Sequence, residues 1–173
     1  MYLGIDESNH GRRPEIFVGC ITPYDGNIRE AVIPKRRDKS ESKRWKELLG
    51  LPYKHIIFDD EFKDMDLGNY KTIAIGEFAK FYSQQFEITK IFMDGNMRGP
   101  RLEKILEMLD EINSHIKLVY GKDLDRRTKL VNEADNIANL LFREYVLKNG
   151  RNKDKYESFL LHPNLKKYER FLL

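Results

Sequence analysis

The strongest constraint on this chain is the order in which its hydrophobic rhythms change. Short β-rich runs come first, at residues 2–7 and 15–22, separated by the turn-like "SNHGRRP", and a third, "YKHIIF", follows at 53–58. After Gly68 the pattern alternates between helix and strand. Tyr70, Ile73, Ala74, Phe78, Phe81 and Tyr82 recur at helical spacing and predict a helix over about 69–85. "ITKIFMD" (88–94) reads as a strand. A helix then opens at Gly99-Pro100, with Leu102, Ile105, Leu106, Leu109 and Ile112 as its apolar stripe. "HIKLVY" (115–120) is the last strand, and Thr128 to about Lys148 the last long helix. Strands followed by α/β alternation predict a mixed sheet with helices on its faces.

Two segments fit this frame less closely. In residues 27–50, "NIREAVI" reads as a strand and "SESKRWKELLG" as a short helix ending at Gly50. The tail, 152–173, reads as helical and carries Phe159, Leu165, Tyr168 and Phe171, a face on which a second copy or another partner could dock. With 173 residues and no linker or repeat, one domain spanning 1–173 is expected, 27–50 being a basic insertion and 150–173 a helical extension.

Composition removes several classes. Cys20 is the one cysteine, so no intrachain disulfide forms, and neither it nor the four histidines has zinc-ligand spacing. There is no nucleophile elbow, no P-loop and no apolar run of membrane-spanning length. A soluble, cytoplasmic protein is the expectation. The net charge of +3 is small, so the placement of the charges matters more than their sum.

That placement is informative. Leu3-Gly4-Ile5 ends in Asp6 and Glu7, and "ITKIFMD" ends in Asp94. If these two strands lie parallel and adjacent, both aspartates meet at the carboxyl edge of the sheet, where open α/β sheets bind ligands. Carboxylates that close repel unless they share a cation, and hard oxygen donors favour Mg²⁺ or Mn²⁺. Two such ions can activate water and stabilise a leaving oxygen in phosphodiester cleavage. "VNEADNIANLLF" supplies a third acid, Asp135, among small residues that let its helix approach the sheet.

The order "GIDES" (4–8), "FMDG" and "EADNIA" resembles the ribonuclease H-like superfamily over about residues 3–145. "GIDES" is similar to the opening of type 2 ribonucleases H, and the trio is more similar still to a broad family of RNase H-like proteins. The turn "SNHGRRP", with Gly11 displaced, departs from the glycine-rich turn of the type 2 enzymes. The resemblance implies an RNase H-like mixed five-stranded sheet, with strands 1–3 antiparallel and 1, 4 and 5 parallel. It also implies a metal-dependent nuclease with Asp6, Asp94 and Asp135 as ligands. In some RNase H enzymes a glutamate on the equivalent helix binds metal, which brings Glu77 into consideration beside Glu7 as a fourth ligand. Glu7 points away from Asp6 if its strand is regular, and toward it if the strand bulges.

Basic residues surround these acids: His10, Arg12 and Arg13 in the first turn, Arg36, Arg37, Lys43 and Arg44 with Trp45 in the insertion, and Arg98 after Asp94. They suit phosphate contacts, and Trp45 suits stacking on an unpaired base. Each feature also has an ordinary reading: turn acids, a solvated basic face, an exposed turn histidine, Asp123 or Asp125 in place of Asp135. Two functions stay open, a Mg²⁺- or Mn²⁺-dependent nuclease and a catalytically inactive nucleic-acid-binding or scaffold protein on the same fold.

Overall fold

Strand β1 (Tyr2–Ser8) alternates its side chains regularly between two apolar layers, and this alternation fixes everything built upon it. Leu3 and Ile5 enter one core, while Gly4 lies against Leu130 on the other side. The computed structural model describes residues 1–8, 14–23, 51–147 and 156–173, with no side-chain description for 146 and 147. The expected elements within 27–50, and the basic residues His10, Arg12, Arg13, Arg36, Arg37, Lys43, Arg44 and Trp45, lie outside the described residues.

Strand β2 (Glu15–Thr22) pairs antiparallel with β1, and β3 (Tyr53–Phe58) antiparallel with β2. Helix α1 (Leu67–Ser83) leads to β4 (Lys90–Asp94), which lies parallel to β1. Helix α2 (Gly99–Asn113) leads to β5 (Lys117–Gly121), parallel to β4. The sheet order is β3-β2-β1-β4-β5, the expected mixed sheet. Helix α3 (Lys129–Phe142) follows, ending in a π-helical turn at Arg143–Leu147.

Three layers result. On one face, α1 and α2 bury Ile73, Phe78, Ile105 and Leu109 against Leu3, Ile5, Phe17 and Ile91. On the other, α3 places Leu130, Ala134, Ile137 and Leu141 against Ile16, Val18 and Cys20. Asp66 caps α1 by accepting the Asn69 N–H at 2.7 Å, and Pro100 begins α2. No helix among the described residues is long and apolar enough to cross a membrane.

The tail corrects one expectation. Its described part forms short 3₁₀ turns at Glu157–Phe159, Leu165–Lys167 and Glu169–Phe171, not a helix. It passes around the outer edge of β3, where the Leu161 N–H donates to the His55 carbonyl at 2.8 Å. Tyr156 is buried on the α3 face, Tyr168 and Phe171 on the α1–α2 face. The apolar groups that suggested a dimerising helix are therefore spent on covering an edge strand and closing the chain's own core. Deleting residues 160–173 is expected to destabilise the monomer by about 3–6 kcal/mol, two buried aromatic side chains' worth. A thermal melt checks this, since a tail serving only dimerisation would leave the dilute protein's Tm unchanged.

His55 is fully buried between Tyr53 and Tyr145, and its Nε2 is 3.1 Å from the Tyr145 hydroxyl. Burial first, then the Lys54 and His162 charges, lower its pKa from 6.5 to about 3. Because the folded value lies below the unfolded one, the unfolded chain binds the extra proton between them. The stability is present above pH 6.5 and is lost as pH falls toward 3. Melts at pH 7 and 4.5 should therefore show a loss of about 2 kcal/mol in the wild type that His55→Gln lacks.

Candidate active site at the carboxyl edge of the sheet

The register of β1 and β4 decides where the acids go. Ile5 lies opposite Met93 in the parallel pair, so Asp6 and Asp94 occupy the next level, at the carboxyl ends of adjacent strands. Asp6 pairs with Val18 and Glu7 with Phe17 in unbroken antiparallel register, so β1 carries no bulge there. Asp6 therefore shares the α3 face with Gly4 and Val18, and Glu7 shares the α1 face with Phe17. Asp94 follows Phe92, which packs with Val131 of α3, so its side chain belongs to the same face as Asp6.

Gly4 is what brings the third acid in. A Cβ at this position would lie 2.5 Å from Leu130 Cγ and 2.8 Å from the Leu130 carbonyl carbon. With only hydrogen there, the α3 backbone comes close to β1, and Asp135, one turn beyond Val131, is buried beside Asp6.

All three aspartates accept a hydrogen bond from the chain itself. Asp94 Oδ1 accepts the Leu124 N–H at 2.5 Å, and Asp135 Oδ1 accepts from Asn139 Nδ2 at 2.8 Å. The first bond depends on Asp123, whose left-handed backbone (φ 60°) turns the chain just before Leu124. Asp6 Oδ1 accepts the Glu7 N–H at 2.8 Å. Burial, then the neighbouring Glu7, Asp135 and Asp94 carboxylates, push the Asp6 carboxyl well above the ordinary range, against the opposing effect of that N–H. Three neighbouring carboxylates thus bear on one buried carboxyl.

Glu7 and Glu77 have other engagements. Glu7 Oε1 is 3.1 Å from Lys71 Nζ, in a pair with side chains only 7% and 14% exposed. Glu77 lies six residues beyond Lys71 along α1, about 9 Å. Its Oε1 accepts the Asn164 N–H at 3.2 Å, and it hydrogen-bonds to Tyr168. The structure brings Glu77 to the C-terminal segment, because an otherwise apolar helix face offers its carboxylate partners there and not at the strand ends. Arg98 is exposed at the start of α2, four residues beyond Asp94.

Sequence reasoning missed Lys71, Asn139 and Ser8. Lys71 lies in the second turn of α1, which puts its ammonium at the strand ends. Asn139 follows Asp135 by four residues, the spacing at which helical side chains meet, and that signal was available. Ser8 shares the face of Asp6, and among the described residues its buried Oγ has no hydrogen-bond partner.

The donor set consists of carboxylate oxygens under mutual repulsion, which suits a hard divalent cation in chemistry. Among the described residues, no three His, Cys, Asp or Glu side chains stand as a ready-made ligand group. Asp6, Asp94 and Asp135 suit such an ion in donor chemistry, and the charges of Asp135 and Asp94 bear on Asp6, without the three standing as an assembled ligand group.

No family model matches the sequence, and no curated protein matches it. Solved structures do. A chain of the PCNA:RNase HII complex from Archaeoglobus fulgidus superposes with a TM-score of 0.64 at 18% identity, covering 88% of this chain and 76% of that one. The ribonuclease H2 from Pyrococcus horikoshii OT3 gives a TM-score of 0.64 at 13% identity, covering 98% and 88%. At such identities the likeness speaks for architecture alone, and it agrees with the strand order and helix placement described above. The chain has the ribonuclease H-like fold.

Proposed function

We propose that this chain is a divalent-metal-dependent nuclease that hydrolyses phosphodiester bonds of nucleic acid. The observation that carries the reading is the meeting of Asp6, Asp94 and Asp135 on one face of the carboxyl edge, with the Asp6 carboxyl pushed up by its acidic neighbours. A cation there would offset the burial and the carboxylate repulsion that push the Asp6 carboxyl up. When bound, Mg²⁺ or Mn²⁺ supplies a Lewis acid for a phosphoryl oxygen and lowers the pKa of a water.

The chain's own residues do the rest. Asp6, Asp94 and Asp135 would hold the ion, with Asp94 steered by the Leu124 N–H and Asp135 by Asn139. Glu7 acts from the opposite face through Lys71. Arg98, exposed four residues beyond Asp94, meets a backbone phosphate. His10, Arg12, Arg13, Arg36, Arg37, Lys43 and Arg44 add phosphate contacts that position the strand, and Trp45 stacks on a base.

A second reading, a binding protein without catalysis, draws support from the lack of a ready-made ligand group among the described residues. End-labelled single-stranded, duplex and hybrid RNA and DNA, incubated with Mg²⁺ or Mn²⁺, separate the two. Cleavage that chelation stops supports the nuclease. Salt-sensitive binding that needs no metal and yields no cleavage supports the binder.

A further inference from the structure

The Lys71–Glu7 pair is built into the fold. Lys71 Nζ lies 3.1 Å from Glu7 Oε1 and donates to the Asp94 carbonyl at 3.4 Å. Gly95, with φ at +99°, leaves the ammonium its room, since a Cβ there would lie 2.8 Å from Nζ. A strand end, a helix and a glycine thus converge on one partly buried positive charge. A buried ion pair is weak evidence for stability, because desolvating both charges offsets their attraction. Its position is more telling. The acids of the α3 face lie on one side of the strand ends, the ammonium on the other, and both Glu7 and Asp94 take part in the two halves.

In a two-ion phosphodiesterase site the ions stand about 3.5–4 Å apart and share carboxylates. An ion bound to Glu7 Oε1 would have to stand against the Lys71 ammonium, which already holds that oxygen. Resting on the nuclease reading above, we propose that Lys71 is a fixed cation standing in for a second metal ion. The site then takes one divalent ion, held by Asp6, Asp94 and Asp135. Lys71 is a positioning residue: it withholds Glu7 from the metal and keeps a positive charge beside the strand ends where a phosphate would lie.

The test counts bound Mn²⁺ by the loss of the free-ion EPR signal, with circular dichroism and thermal melts confirming the fold of each variant. The wild type should bind one Mn²⁺ per chain, and Lys71→Arg, which keeps the charge, also one. Lys71→Met, which keeps the stem and frees Glu7, should bind two. Should Lys71→Met not fold, Glu7→Gln decides: one ion is expected, with affinity within about tenfold of wild type, a span of about 1.4 kcal/mol. Loss of that ion in Glu7→Gln makes Glu7 a direct ligand and overturns the proposal. Two ions in the wild type, or one at unchanged affinity in Lys71→Met, also overturns it and leaves the nuclease reading standing. No ion in the wild type or any variant removes that reading and the proposal together.

Discussion

Asp94→Asn is expected to cut metal-dependent cleavage about 10³-fold, a loss of roughly 4 kcal/mol of transition-state stabilisation, while leaving the fold intact. The asparagine oxygen can still accept the Leu124 N–H that steers the wild-type carboxylate, so the β5–α3 connection keeps its anchor. What disappears is the negative charge. Asp6→Asn should lose as much activity, with a diagnostic difference in stability. The folded Asp6 carboxyl is raised above its ordinary value of 3.8, so between those values the folded state holds the extra proton. Stability from this group is therefore full below about pH 3.8 and falls as pH rises through the folded value. The neutral asparagine of the variant escapes that cost. The metal-free Asp6→Asn protein should melt at least about 2–4 °C above wild type at pH 7, the shift 1 kcal/mol gives in a domain of this length, and show no such gain at about pH 3. Activity lost and stability gained at one position is the signature of an acid kept for function.

The second large effect lies at Gly4. A valine there puts carbon into space filled by Leu130 side chain and backbone, so α3 must retreat from β1. Roughly 3 kcal/mol of destabilisation is expected, the upper end of overpacking, or a fall in Tm of about 6–12 °C. The retreat carries Asp135 with it. Gly4→Val should therefore weaken Mn²⁺ binding as well, even in the cold where the protein stays folded. Calorimetry at about 10 °C checks this: unchanged Mn²⁺ affinity with a lowered Tm would mean that Asp135 does not depend on the close approach of α3.

The legible parts of this fold are those in which local pattern and tertiary role agree. Strands β1 to β3 have the expected positions, because turn chemistry bounds apolar runs that two layers then bury. Helices α1 to α3 are expected ones with ends shifted by a few residues, α3 stopping at Phe142 where a π-helical turn begins. Asp6 and Asp94 could be brought together on paper because a parallel crossover leaves few choices, and Asp135 because Ala134 and Ala138 flank it. The tail was not legible. Its aromatic spacing suits a helix, yet the chain bridges to the outer edge of β3 at Leu160 and turns in short 3₁₀ segments, a tertiary demand that no local window of sequence contains. Glu77 misled for a related reason: its partner, the Asn164 N–H, lies 87 residues away. Lys71 was invisible because a lysine on a helix is ordinary until the strand ends are placed beneath it.

Diffraction from crystals soaked in Mn²⁺, collected for anomalous signal, tests most directly whether these acids form one metal site. A single peak is expected at the carboxyl edge within coordination distance of Asp6, Asp94 and Asp135, with Lys71 still on Glu7. A Mn²⁺ peak held by other residues, or an acid edge without anomalous density at saturating Mn²⁺ and with Asp6 hydrogen-bonded as a protonated carboxyl, would contradict it.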